Sequence, residues 1–322
     1  MGIKVFCIED SKRYDITDIT NKSISWSKSP DEFAQKLSFD ILDVKKAGFV
    51  KNPVKIGSVI EVISSKTEFS GIVITSNKVR NGSANTAVDF VYYFNQNEEI
   101  YQFDNVKAST CIESVFSSMG APTGTLDSVD VVIDKIYFNS SAGGVIKDII
   151  DIILMETGKK YRFYYRDGKF HFRKYKDTVE SYEIDFYNKK YDINSFLDDV
   201  SLSKGINNMK NAVKIVIKNN ESQYETKSLR DDGNIEKYGI MQKVLEIEAS
   251  DKYRADSMAE NFIKENSKVN ENLSLSIPWM EGLYEGDNVI IKNGDLEIDG
   301  VYRIVNFTKY TEKINLELEP YE

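Results

Sequence analysis

A single histidine, His171, in a chain of 322 residues restricts any histidine-based acid–base dyad to that one ring and excludes a multi-histidine metal site. It sits between Phe170 and Phe172 with no nucleophile motif beside it, so a satisfied or solvent-facing imidazole is expected rather than a catalytic one. Two carboxylate pairs, Glu98 with Glu99 and Asp231 with Asp232, have the residue types of a glycosidase acid and base. Each lies in a polar stretch with turn chemistry, which reads as a solvated loop. The run Asp295-Leu296-Glu297-Ile298-Asp299-Gly300 opens like a calcium loop. Its twelfth position, however, is Asn306 where a bidentate glutamate is needed, and Leu296 and Ile298 alternate as in a strand. No catalytic residue, metal ligand or cofactor is expected.

The segment KYRFYYRDGKFHFRKY carries the densest set of recognition-capable side chains. Asp167-Gly168 supplies the positive φ angles of a two-residue turn, which makes the segment a hairpin with Tyr165 opposite Phe170 and Phe163 opposite Phe172 on one face. Arg162, Tyr164, Arg166, Lys169, His171 and Arg173 then share the other face. Such a basic, aromatic face can stack bases or sugars, or meet an acidic partner subunit. The formal net charge of −9 argues against nucleic acid, whose affinity rests on a concentrated positive field, and favours a protein partner.

The elements that must hold this hairpin follow from periodicity. The first ~95 residues read as short strands (KVFCI, SISWS, KLSFDILDV, SVIEVI, GIVITSNKV and AVDFVYYF) separated by turn formers. Ala108, Cys111, Ile112, Val115, Phe116 and Met119 form one helical apolar stripe, stopped by Gly120. A second helix over 144–157 is apolar nearly all round and ends at Gly158, so it is expected to be buried. Strands resume at AVKIVIKNN, a helix over 251–268 is capped by Ser250 or Asp251, and SLSIPW, DNVIIKN, LEIDGVYRIVNF and KINLELEP close the chain. Cys7 and Cys111 both sit within apolar periodicity and imply no disulfide. No segment approaches the ~18 consecutive apolar residues of a membrane span, and no signal sequence is expected at the N-terminus, so synthesis and folding in a cytoplasm are expected.

Residues 56–76 laid over 285–305 without a gap place Gly57 and Gly71 on Gly286 and Gly300, Ile60 on Val289, Val62 on Ile291 and Phe69 on Ile298. Chance recurrence of a glycine turn between strands and true duplication are both open at this level. If it is a duplication, three copies of the chain would present six similar units around an axis, a ring able to join assemblies of different symmetry.

Over most of its length the chain resembles the hub proteins of contractile tails, particularly those of PBSX-type defective prophages and tail-like bacteriocins of Gram-positive bacteria. The residues that carry the resemblance are Trp26 followed by Ala34-Gln35-Lys36-Leu37-Ser38-Phe39, Phe69-Ser70-Gly71-Ile72-Val73, and Tyr101-Gln102-Phe103 leading to a helix that ends Gly120-Ala121-Pro122-Thr123-Gly124. Later come Lys237-Tyr238-Gly239-Ile240-Met241-Gln242, Glu285-Gly286-Asp287 and Gly300-Val301-Tyr302-Arg303-Ile304. The chain departs from that family at Thr308 and Lys309, where members often carry a histidine.

The resemblance implies a non-enzymatic baseplate protein: a homotrimer forming a pseudo-hexameric ring, with the sixfold tail tube above, a threefold spike below and other baseplate subunits around it. Assembly into a tail particle after synthesis in the bacterial cytoplasm is implied, without nucleic acid or membrane insertion. The expected architecture is mainly β with an α+β middle section. It comprises a first β-barrel domain over 1–97, an inserted domain with helices and a hairpin over 98–204, and a second, related barrel with one helix over 205–322. The alternative is a carbohydrate-binding or glycan-cleaving cell-wall module using Tyr164.

Overall fold

A computed structural model describes residues 3–20, 24–28, 33–43, 51–178, 183–185, 200–218, 224–292 and 298–321. In chain order the strands begin β1 Lys4–Glu9, β2 Lys12–Asp15, β3 Ser25–Lys28, β4 Gln35–Leu42, β5 Val59–Ile63, β6 Thr67–Val79 and β7 Gly82–Asp89. Helix α1 Tyr92–Gln96 leads to β8 Glu98–Lys107, α2 Ala108–Ser118, β9 Thr123–Leu126, β10 Val132–Ser141, α3 Ala142–Thr157, β11 Tyr161–Arg166 and β12 Lys169–Lys174. The remainder is β13 Glu183–Asp185, β14 Ser201–Gly205, β15 Ala212–Lys218, β16 Tyr224–Arg230, α4 Asp232–Tyr238, β17 Gln242–Glu248, α5 Ala255–Asn266, β18 Asn270–Pro278, β19 Asn288–Lys292, β20 Gly300–Tyr310 and β21 Lys313–Pro320. The calcium-like positions Asp295 to Glu297 lie outside the described residues.

The chain is mainly β with an α+β middle section, as its alternation demands. No barrel is closed among the described residues. Instead, strands from both ends of the chain join in one thirteen-stranded sheet, ordered β14-β18-β21-β20-β3-β4-β7-β6-β5-β1-β2, with β19 on β20 and β13 on β19. The four-residue β3 makes the join: Trp26 pairs with Leu37 on one side and with Lys309 on the other. A single apolar cluster follows the sheet across this join, from Val5, Cys7 and Trp26 to Ile304, Leu316 and Leu318, and the rings of Trp26 and Trp279 meet at 5.5 Å.

The internal repeat is visible in the backbone, with a correction to its register. Strands β5 and β19 correspond at an offset of 229 residues, but β6 and β20 correspond at 231, because Val59 pairs with Ile72 whereas Asn288 pairs with Arg303. The second copy has two more residues between its strands, so the structural counterpart of Gly71 is Tyr302, not Gly300. The turns that open the two copies share one hydrogen-bond pattern. Ser58 N–H donates to Lys55 O (3.1 Å) and Lys55 N–H to Ser58 Oγ (2.9 Å); Asp287 N–H donates to Tyr284 O (3.1 Å) and Tyr284 N–H to Asp287 Oδ2 (3.0 Å). Gly57 and Gly286, at φ +92° and +80°, supply the left-handed residue that each turn requires.

A second apolar cluster holds the middle of the chain. The buried faces of α2 (Cys111, Ile112, Val115, Phe116) and α3 (Val145, Ile146, Ile149, Ile153) pack with Tyr101, Phe103, Ile133 and Tyr137 of the β8–β10 ribbon and with Phe163, Phe170 and Phe172 of the hairpin. Helix α3 is capped by the Ser141 hydroxyl, which accepts from Gly144 N–H, and ends on left-handed Gly158. Residues 92–94, expected to end a strand, open α1 instead: the spacing of Val91 and Phe94 turns both side chains into this cluster, a helical and not a pleated placement. A third cluster lies between α5 and the sheet β16-β15-β17, where Val213, Ile215 and Ile217 face Ala255 and Ala259. Helix α5 starts later than expected, after a 3-10 turn over Ala249–Arg254, and its N-cap is Arg254 without a side-chain cap.

Candidate functional site

The hairpin forms as its sequence requires. Asp167 and Gly168 have φ +50° and +75°, and the pairs Tyr165–Phe170, Tyr164–His171 and Phe163–Phe172 are in register. Its apolar face fills the middle cluster. The fates of the six residues on the opposite face differ.

Arg162 is buried, 7% exposed. Its Nη1 donates to the Glu285 carbonyl and its Nη2 lies 3.9 Å from Asp287 Oδ1. Arg166 lays its guanidinium 3.7 Å over the Tyr284 ring. Both arginines therefore engage the Tyr284-Glu285-Gly286-Asp287 turn of the second repeat copy. Around the same turn, Tyr175 donates its hydroxyl to Glu285 Oε1 (2.7 Å) and Lys28 pairs with Glu285 Oε2. Burial, reinforced by Glu285, holds the Tyr175 phenol well above its ordinary pKa, so it remains a donor. The basic face thus serves first as a joint between the middle of the chain and the large sheet.

Tyr164 and His171 stack at 5.0 Å with an 11° interplanar angle. Both imidazole nitrogens are used: Thr125 N–H donates to Nδ1 (2.9 Å), and Nε2 lies 3.3 Å from the Arg166 carbonyl, to which it donates in the matching tautomer. Burial lowers the His171 pKa, which favours this neutral ring. Strand β9 runs so close that a Cβ on Gly124 would meet His171 Cε1 at 2.3 Å. His171 is a satisfied structural histidine. Lys169 and Arg173 remain exposed, with Arg173 Nε 3.8 Å from Asp127 Oδ1.

The carboxylate pairs also have structural places. Glu98 and Glu99 begin β8 as exposed strand residues, not a loop. Asp231 is the N-cap of α4; its carboxylate accepts from Asn234 N–H and Ser267 Oγ, which lowers its pKa, the Ser267 bond most. Among the described residues, no group of three or more His, Cys, Asp or Glu side chains could hold a metal ion, and no helix is long and apolar enough to cross a membrane.

Sequence reasoning passed over a buried polar seam beside the hairpin. Glu68 of β6 and Lys309 of β20 form a fully buried ion pair, and Lys309 Nζ also lies 4.4 Å from the Tyr284 ring centre. Nearby Asp89, also buried, accepts from Val91 N–H at 3.1 Å through one oxygen while the other has no protein partner. Burial pushes the Asp89 pKa up to about 7. Only the departure at Lys309 signalled this seam.

The comparisons with known proteins agree with this architecture. Tail protein from Neisseria meningitidis MC58 superposes with a TM-score of 0.70 at 12% identity, covering 99% of this chain and 97% of that one. Prophage tail protein gp18 of Listeria monocytogenes EGD-e gives 0.63 at 15% identity, covering 99% and 94%. The fold is therefore that of phage tail proteins. Two proteins of Bacillus subtilis (strain 168) are 24% identical: YqbQ over 208 residues, 64% of this chain and 59% of its own length, and the phage-like element PBSX protein XkdQ over 185 residues, 55% and 53%. The chain spans between half and three-fifths of the length of these relatives. The expected likeness to PBSX-type tail proteins is met, and with a family model matched over residues 24–319 the chain belongs to the YQBQ-like family.

Proposed function

We propose that this protein is a non-catalytic hub subunit of a contractile phage tail or tail-like bacteriocin. Three copies form a ring with approximate sixfold symmetry, which joins the sixfold tail tube to a threefold spike, with further baseplate subunits around it. The observation that carries this reading is the duplicated turn and hairpin, Lys55–Ser58 with β5–β6 and Tyr284–Asp287 with β19–β20, set in the two halves of one sheet. Two copies of one unit per chain are what a trimer needs to match a sixfold neighbour.

Among fold relatives, an Escherichia coli protein described as a component of the type VI secretion system, with structural similarity to the T4 tail proteins gp27 and gp5, superposes at a TM-score of 0.52 and 9% identity, covering all of this chain and 74% of that one. That supports a tail or injection-particle setting for the fold. We assign three units, 1–97, 98–204 and 205–322; the first and third supply most of the common sheet, and the end of the second adds β13 beside β19 and β14 beside β18. The exposed part of the hairpin face, Lys169 and Arg173 with the edge of Tyr164, is the partner contact we propose, and Arg162 and Arg166 hold it in position from within.

The test is the solution mass of the purified chain by light scattering, alone and mixed with a candidate spike protein, at several concentrations. A threefold mass in either condition supports the ring. A single-chain mass in both overturns it.

A further inference from the structure

The β8–β10 ribbon buries one face and leaves the other open. On the open face Ile100 and Phe138, each 63% exposed, lie in the register shift between the Tyr101–Tyr137 and Glu99–Ser140 pairs, and Ile136 next to this stretch is 47% exposed. At the far end of that face Asp104 and Asp134 stand at the bulge between the strands, both exposed, and neither has an ion-pair partner among the described residues. Like charges placed side by side on a ribbon destabilise it, and a contiguous apolar patch exposed to water marks an interaction surface. Together they specify an occupant that is apolar at its centre and cationic at one end.

Such a surface exists elsewhere on the same chain. The sheet β16-β15-β17 is covered by α5 on one face only. Its open face carries Val244, 48% exposed, and half-buried Val216, with Lys214 between them and Ser228, exposed Arg230 at one end and Glu246 at the other. Lys214 and Arg230 also lack ion-pair partners among the described residues. The packing order runs from the ribbon through α2 and α3 to α5 and then to this sheet, so the two open faces are the outer surfaces of one stack.

We infer that copies of this chain associate head to tail through this stack, the acidic–apolar ribbon face of one copy seated on the basic–apolar face of the next copy's three-stranded sheet. A contact between two different faces is heterologous, and such contacts close into a ring when the rotation per copy permits. The occupant is a second copy because both complementary faces lie on one chain, apolar against apolar with opposite charges at one end. The inference rests on the ring proposed above and specifies which surfaces make it.

The experiment uses the full chain under whichever condition gives the parent its multimeric mass. The ribbon variant Asp104→Lys with Asp134→Lys and the sheet variant Lys214→Glu with Arg230→Glu alter exposed or half-exposed side chains, and circular dichroism checks that each folds. Each is expected to lower the light-scattering mass from threefold toward the 36.8 kDa of one chain. A chain carrying all four changes, whose faces are again complementary, is expected to regain it. A folded ribbon variant that retains the full mass overturns this contact and leaves the ring standing. A parent that is a single chain alone and with the spike protein overturns both.

Discussion

Lys309 Nζ lies 2.8 Å from Glu68 Oε2 with both side chains fully buried, and the two residues are 241 positions apart in sequence. This pair ties β20 to β6 across the join of the large sheet, beside the aromatic rings of Trp279, Tyr284 and Phe307. A buried pair of this kind is a weak source of net stability but a severe liability when halved. Lys309→Met alone, leaving Glu68 unpaired, is expected to destabilise the protein by about 3–5 kcal/mol. Lys309→Met with Glu68→Leu is expected to recover most of that loss, and urea denaturation of the three proteins checks it.

Asp89 makes stability depend on pH in a stated direction. Its folded pKa of about 7 exceeds the ordinary value near ~3.9 of an unfolded chain. Between those values the folded state binds more protons than the unfolded one, so stability falls as pH rises from about 4 to about 7 and stays low above that. Asp89→Asn removes the ionisation and can still accept from Val91 N–H. The variant is expected to melt several degrees above the parent at pH 8 and near it at pH 4. Equal displacement at both pH values would show that Asp89 does not titrate in this range.

Gly124 and His171 are coupled through the 2.3 Å approach of a Cβ to the imidazole. Gly124→Ala is expected to destabilise by roughly 1–3 kcal/mol, as overpacking does. Combined with His171→Ala, which frees the space, the penalty of the alanine at 124 is expected to shrink. Thermal melts of the two single variants and the double variant give the coupling energy.

The two roles of the hairpin face separate by substitution. Arg162→Ala removes the buried donor to the Glu285 carbonyl, while Asp287 keeps Lys176 at 3.5 Å and the Tyr284 N–H, and is expected to lower stability by about 1–3 kcal/mol. Lys169→Glu, on the exposed part, is expected to change stability by less than about 0.5 kcal/mol. It is expected instead to weaken partner association, most strongly at low salt, as read by light scattering of mixtures with candidate partners.

The legible parts of this molecule were those governed by short-range period. The stripe of α2, the capped and glycine-terminated α3 and the register of the hairpin all follow from side-chain spacing and turn chemistry within about sixteen residues. Tyr92–Phe94 reads as a strand end because a run such as VDFVYY satisfies both periods over its few residues, and packing of Phe94 against Phe116 and Phe163 decides for the helix. The repeat was visible through its glycines, yet a two-residue longer second loop shifted the true correspondence, which no ungapped comparison reveals. The joining role of β3 and the pair of Glu68 with Lys309 depend on contacts more than two hundred residues apart. Arg162 reads as part of an open face because arginine is usually exposed, and only the meeting with Glu285 and Asp287 explains its burial.

Strand β3, four residues near the N-terminus, takes one of its two neighbours from residues 308–310. During synthesis the ribosome must therefore release the chain as far as Tyr310 before the outer edge of β3 is covered. Until then that edge and the Trp26 ring stay available for pairing with other nascent chains. Loss of Thr308–Tyr310 would unsettle the first strands of the molecule as well as β20, and maturation is expected to be slow, concentration-sensitive and aided by holding chaperones.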